Sequence, residues 1–222
     1  MTDPLSYWQQ EFDATLILAD PHVPLASTLM GVARRLGEVL TLRKEVVHPR
    51  DNPRGPAQFV GLEHIESGTG QRVGVVKVEK STLTGRKPQF YQGDIVYGYL
   101  RPYLNKVWIA EFDGLCSVDQ YVYSVDAAQA STDYVAWFMR SPVYLERAPI
   151  DLTPGQLPRI RTEEVASVEI ELPPLAEQAR VVNRIRTSLV ESGTTRKALE
   201  NQLEAIGKLP AALLRRAFSG GL

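Results

Sequence analysis

The stretch Val168-Glu-Ile-Glu-Leu-Pro-Pro-Leu-Ala-Glu-Gln-Ala-Arg-Val-Val-Asn-Arg-Ile185 changes its apolar period halfway through. Before Pro173 the apolar side chains alternate (Val168, Ile170, Leu172), as a strand with one buried face requires. After Pro174 they follow steps of three and four. The proline pair cannot donate backbone hydrogen bonds and biases the residue before it towards extended structure, so a strand ends and a helix begins within a few residues. This places a boundary between a globular domain, residues 1–172, and a helical region, residues 173–222.

Continued from Leu175, the alternate steps fall on Leu175, Gln178, Val182, Ile185, Leu189, Ser192, Arg196, Leu199, Leu203, Ile206, Pro210, Leu213 and Ala217. Nine of these thirteen are Leu, Ile, Val or Ala, and the phase survives the polar Ser192-Gly193-Thr194-Thr195 interruption, which identifies one coiled-coil-type seam rather than two unrelated helices. Helical throughout, the region would span about 65 Å at roughly 1.5 Å per residue. Gly193 costs on the order of 1 kcal/mol in a helix interior and Pro210 about 3, so a break or kink is expected at Pro210. A stripe of Leu and Ile cannot remain in water; its partner helix comes from the globular domain or from another chain.

Upstream, Val73–Val78, Asp94–Leu100, Lys106–Ala110 and Tyr121–Val125 are rich in branched or aromatic residues and separated by turn residues, and read as strands. Gly68-Thr69-Gly70 lacks the third glycine and following helix of a nucleotide-binding loop and reads as a hairpin turn. Ser131-Thr132-Asp133 offers N-caps for a helix that Pro142 ends or kinks, and Thr162-Glu163-Glu164 caps a short one before Val168–Leu172. Strands and helices without βαβ regularity predict an α+β, mixed α/β globular domain followed by the long helical region.

The formal charge of −1 hides a strong division. Residues 1–33 carry −4, 34–110 carry +6, 111–180 carry −7 and 181–222 carry +4. Phosphate recognition depends on local field and not on the total, so the +6 block is the place to seek contacts to nucleic acid, although such a run can equally be a solvated face.

Several chemistries lack their residues. Cys116 is the only cysteine, which excludes an intramolecular disulfide or multi-cysteine zinc site, and its apolar setting reads as core. His22, His48 and His64 are scattered. There is no P-loop, no glycine-rich cofactor loop, no Asn-Pro-Pro-aromatic methyltransferase motif, and no lysine with an acid or Gln two residues before it as in many Mg²⁺-dependent nucleases. The chain reads as non-catalytic. With no apolar run near the roughly 18 residues of a membrane span, and Asp3-Pro4 in place of a signal sequence, a cytoplasmic location is expected.

The stretch Leu172–Ile185 closely resembles the start of the conserved helical region of type I restriction-modification specificity subunits, and Leu213-Leu-Arg-Arg-Ala-Phe-Ser-Gly-Gly-Leu222 its end. Phe59–Ser67, Gly93-Asp-Ile-Val96, Leu100-Arg-Pro-Tyr-Leu-Asn-Lys106, Phe112–Ser117 and Gly155-Gln-Leu-Pro-Arg-Ile160 look like that family's target-recognition domain, in the family's order. Full-length members have two such units, with helices packed together to hold two recognition domains on a split DNA target. One unit is present here, so the resemblance implies a half-length subunit that pairs with a second copy on an inverted-repeat target. It implies no cofactor in this chain. S-adenosylmethionine and adenine methylation would belong to a partner modification subunit, and cleavage and translocation to restriction subunits. The rival reading is a decoy half-subunit that occupies modification subunits without reading DNA.

On this reading Arg101, Tyr103, Asn105 and Lys106, presented by the Pro102 turn, are candidates for DNA contact, although the same motif can instead hold the fold. Arg72, Lys77, Lys80, Arg86 and Lys87 are phosphate candidates, and Gln156 and Arg159 suit bidentate contact with adenine and guanine. The helix-pairing candidates are Leu175, Val182, Ile185, Leu189, Leu199, Leu203, Ile206, Leu213 and Ala217.

Overall fold

The computed structural model describes residues 31–151 and 156–219, without the side chains of Ala212, Leu213 and Ala217. Within them lie β1 (Val32–Arg35), β2 (Leu40–Leu42), β3 (Val46–Val47), β4 (Pro56–Val60), β5 (Val76–Glu79), β6 (Lys87–Phe90), β7 (Ile95–Gly98), β8 (Val107–Ile109), β9 (Gly114–Cys116) and β10 (Gln120–Val125). Helices α1 (Thr132–Arg140), α2 (Pro142–Arg147) and α3 (Thr162–Ser167) follow, then β11 (Glu169–Leu172) and α4 (Leu175–Phe218). The strands, α1 to α3 and the first two turns of α4, through Val182, form one compact unit; α4 from Asn183 onward belongs to a second.

Strand alternation builds two cores around one four-stranded sheet, ordered β2-β10-β7-β8 and antiparallel throughout. Ile95, Tyr97, Val107 and Tyr123 face one side and meet Val135, Ala136 and Met139 of α1, Tyr144 of α2 and Val165 of α3. Val96, Trp108 and Val122, one residue out of phase, face the other and meet Val60, Phe90 and Cys116 of a five-stranded sheet, ordered β3-β6-β9-β4-β5. In that sheet β4 and β9 run parallel. β1 pairs with β11, bringing the two ends of the compact unit together.

Capping follows the sequence in position more than in bonding: Ser131 takes the N-cap place of α1 without a side-chain cap hydrogen bond, and Arg161 rather than Thr162 is the N-cap of α3. α1 follows Ser131 and ends at Arg140; Pro142 opens α2, and the Ser141 hydroxyl accepts from the Tyr144 N–H. Glu164 reaches back to accept from the Arg161 N–H at the start of α3, 2.6 Å. Gly68 and Gly70 take left-handed φ of +74° and +66° in a hairpin closed by the Ile65–Arg72 bridge.

Two expectations are corrected. The strand read over Val73–Val78 starts only at Val76, because the Val73 N–H is taken by the His64 carbonyl and a Cβ at Gly74 would meet the His64 ring. Helix α4 also runs through Gly193 and Pro210 without a break. A proline ring removes one donor from the ladder, and the strong helix formers Lys208, Leu209, Ala211, Ala212 and Leu214 flank this one, so propagation offsets the local loss.

Candidate nucleic-acid interface

The end of β7 meets two distant segments. The Tyr99 N–H donates to the Asp119 carbonyl (3.1 Å), the Ile160 N–H to the Tyr99 carbonyl (3.2 Å) and the Arg101 N–H to the Pro158 carbonyl (2.7 Å). Leu100 and Asp151 both form bridges to Arg159. Residues 99–101, 119–121 and 158–160 thus lie side by side, far apart as they are in sequence.

Pairing of Gln120 with Gly98 and of Tyr121 with Tyr97 makes Tyr99 and Tyr121 diagonal neighbours on one face. Their rings stack with centroids 4.3 Å apart and planes 18° from parallel, each half-buried. Burial pushes the Tyr121 phenol up to about 12, with Tyr99, Glu163 and Glu164 adding to the shift and Arg159 opposing it. Tyr99 is raised by burial and by Asp119 against the pull of Arg86 and Arg159, so both guanidinium groups act on this ring. At neutral pH both hydroxyls keep their protons and can donate.

Arg159 is exposed but held. Its Nη2 donates to Gln156 Oε1 at 3.2 Å, and its Nε lies 3.9 Å from Asp151 Oδ2. Gln156 Oε1 thus accepts one hydrogen bond from Arg159 and helps to hold it. The Thr153-Pro154-Gly155 turn expected before it lies outside the described residues.

The Arg101–Lys106 turn divides. Arg101 is exposed, with a left-handed φ of +52° that starts a single 3-10 turn containing Tyr103, which is half-buried. Asn105 points inward: it is 1% exposed and its amide donates to the Arg140 carbonyl at 2.6 Å. Lys106 donates to the Leu62 carbonyl at 2.6 Å, and partial burial lowers its pKa. These last two side chains join loops to the core, so the fold-holding reading of the motif applies to them and Asn105 is out of reach of a base edge.

The phosphate candidates divide as well. Lys77, on the edge strand β5, and Arg86, just before β6, are exposed. Arg72 makes two hydrogen bonds to Glu111, the shorter 2.7 Å, and lies over the Phe112 ring. The Lys87 ammonium sits 5.3 Å above the Phe59 ring, and Lys80 is half-buried in a 3-10 turn. Sequence patterns do not single out Tyr99, Asp119 and Tyr121; for the two tyrosines the local sign is the period-two pairs Tyr97/Tyr99 and Tyr121/Tyr123.

Along α4 the seam has two characters. Gln178 and Val182 are buried within the compact unit, whereas Leu175 is 43% exposed and Ile185 half-buried. Beyond, Leu189, Leu199, Leu203 and Ile206 are 36 to 68% exposed. Leu213 and Ala217 lie outside the described side chains. Among the described residues there is no group of three or more metal-ligating side chains, and no helix long and apolar enough to cross a membrane.

Fold and surface define a class: a mixed α/β domain with arginines and tyrosines gathered at the end of one sheet, followed by a long helix with a heptad seam. Over 188 residues the chain is 30% identical to the type I restriction enzyme EcoDI specificity subunit of Escherichia coli, a match covering 85% of this chain and 41% of that subunit. It shares the fold of the HsdS subunit from Thermoanaerobacter tengcongensis, with TM-score 0.65 and 24% identity over 84% of this chain and 47% of that one. A structure solved to explain complex assembly and conformational transition of the type I R-M system matches with TM-score 0.65 and 25% identity over 86% of this chain and 50% of its own. No protein-family model matches. The chain spans about half the length of the relatives it matches, and over that half it resembles a type I restriction-modification specificity subunit.

Proposed function

We propose that this chain is a sequence-specific DNA-binding specificity subunit of a type I restriction-modification complex. The observation that carries the reading is the joint match of sequence and fold to half of such a subunit, over most of this chain. The chain itself is non-catalytic. It recruits modification subunits, which bind S-adenosylmethionine and methylate adenine, and restriction subunits, which cleave.

The exposed leucines of α4 pair with the same helix of a second copy. A three-four seam buries its apolar stripe only against another helix, and twofold pairing places two recognition domains on a split, inverted-repeat target.

The experiment is a map of methylated adenine across the genome of the native host, with and without the gene. Loss of methylation at one split, inverted-repeat motif on deletion is the expected result. An unchanged map, with modification subunit expressed, overturns the specificity role; an asymmetric lost motif overturns the homodimer and leaves recognition standing. Tight binding to modification subunits without DNA binding would mark a decoy.

A further inference from the structure

We propose that Tyr99, Asp119, Tyr121 and Arg159 form the part of this domain that reads base edges, with Asp151 and Gln156 acting as positioning residues for the arginine. The inference rests on the DNA-binding reading above and names which side chains carry the sequence information.

Three observations support it. The first is charge: a phosphate anchor gains from positive potential alone, whereas the Arg159 Nε lies 3.9 Å from the Asp151 carboxylate, and Asp119 and Arg159 both act on the Tyr99 ring. Neighbouring carboxylates weaken attraction to phosphate yet fix the direction of a guanidinium fork, which a bidentate contact to guanine O6 and N7 requires.

The second is the mixture of donors and acceptors. Ser117 Oγ donates to Asp119 Oδ2 at 3.2 Å, orienting a carboxylate able to accept from cytosine N4. The two phenols, kept protonated, donate or accept. Such a set discriminates base pairs, while phosphate needs donors alone.

The third is rigidity. Tyr99 and Tyr121 continue a row whose inner members, Tyr97 and Tyr123, are 0% and 4% exposed, and Arg159 is bridged on both sides. Base discrimination demands groups fixed to a fraction of an ångström, and these stand on paired backbone.

The test uses the full chain and a pool of randomised duplex DNA, selected at two salt concentrations, for the wild type, Arg159→Lys, Asp119→Asn, Tyr121→Phe and the phosphate candidate Lys77→Ala. Each of the first three variants should change the preferred base at one position and bind the wild-type sequence roughly 5- to 150-fold more weakly, with the salt dependence unchanged. Lys77→Ala should keep the preferred sequence and lower the salt slope by about 1. If Arg159→Lys and Tyr121→Phe keep every preferred base, the assignment is overturned. Circular dichroism identifies any variant that unfolds, in which case Tyr99→Phe, judged by the same criterion, replaces it. If the wild type itself selects no sequence, the DNA-binding reading fails and this inference with it, an outcome distinguished by appearing before any substitution.

Discussion

The side-chain oxygen of Gln178, in the first turn of α4, accepts a hydrogen bond of 2.8 Å from the backbone N–H of Ser131, the residue that caps α1. The Gln178 amide nitrogen donates to the carbonyls of Pro173 (2.8 Å) and Gln129 (3.2 Å), and the side chain is 0% exposed. A polar seam position is thus a satisfied buried anchor for the start of α4. Gln178→Leu, close in volume, removes the partners of the Ser131 N–H and of the Gln129 and Pro173 carbonyls, the last of them buried. It should lower stability by about 1–3 kcal/mol, read as a lower urea midpoint with unchanged slope.

Gly70 is the second anchor. Its φ is +66°, and a Cβ there would strike the Val107 carbonyl oxygen and the Arg140 guanidinium, which donates to that same oxygen at 2.9 Å. Gly70→Ala should therefore destabilise by more than about 1 kcal/mol, whereas Gly68→Ala, equally left-handed but in open space, should cost less. Equal urea midpoints for the two variants would contradict the packing argument.

The buried phenols set an alkaline limit. Burial raises Tyr97, Tyr123 and Tyr144 above their ordinary value in the fold, so unfolding lets them ionise more readily. Their stabilising contribution is complete below about pH 10 and declines above it, by about 1.4 kcal/mol per pH unit for each phenol still protonated in the fold. A pH series should show the urea midpoint falling only above that value, with tyrosinate absorbance from these residues appearing together with loss of near-ultraviolet dichroism.

The helical seam makes a separate prediction. Leu199→Glu and Leu203→Glu place charges where the proposed pairing buries leucine in both copies, and each should weaken association on the order of a hundredfold. Sedimentation in the analytical ultracentrifuge should show a shift from dimer to monomer, while the near-ultraviolet spectrum of the globular part is unchanged. A wild-type chain that is monomeric at micromolar concentration would refute the pairing.

Legibility in the sequence followed the range of the interaction. Alternation in Tyr121–Val125, the Ser131 cap, the two-glycine hairpin and the heptad seam are local signals, and each corresponds to an element. Val73–Val75 read as strand because branched residues favour it, but a backbone bond to His64 took precedence. Pro210 read as a break because intrinsic propensity neglects the flanking helix formers. Asn105 looked presented by its turn; its partner, the Arg140 carbonyl, lies thirty-five residues away. The meeting of Tyr99 with Arg159 depends on strand pairing across sixty positions, for which one sequence offers no local sign.

The placement of β10 has a consequence for how the compact unit breathes. Tyr123 is registered with Leu42 on one side and Ile95 on the other, and β10 has a core on each face. Its amide donates within the interior of the sheet and is covered by a core on each face, so local fluctuations that fray only the edge strands leave it protected. Tyr123 should be among the last amides to exchange, a reporter of whole-domain opening placed two residues along the chain from Tyr121 at the rim.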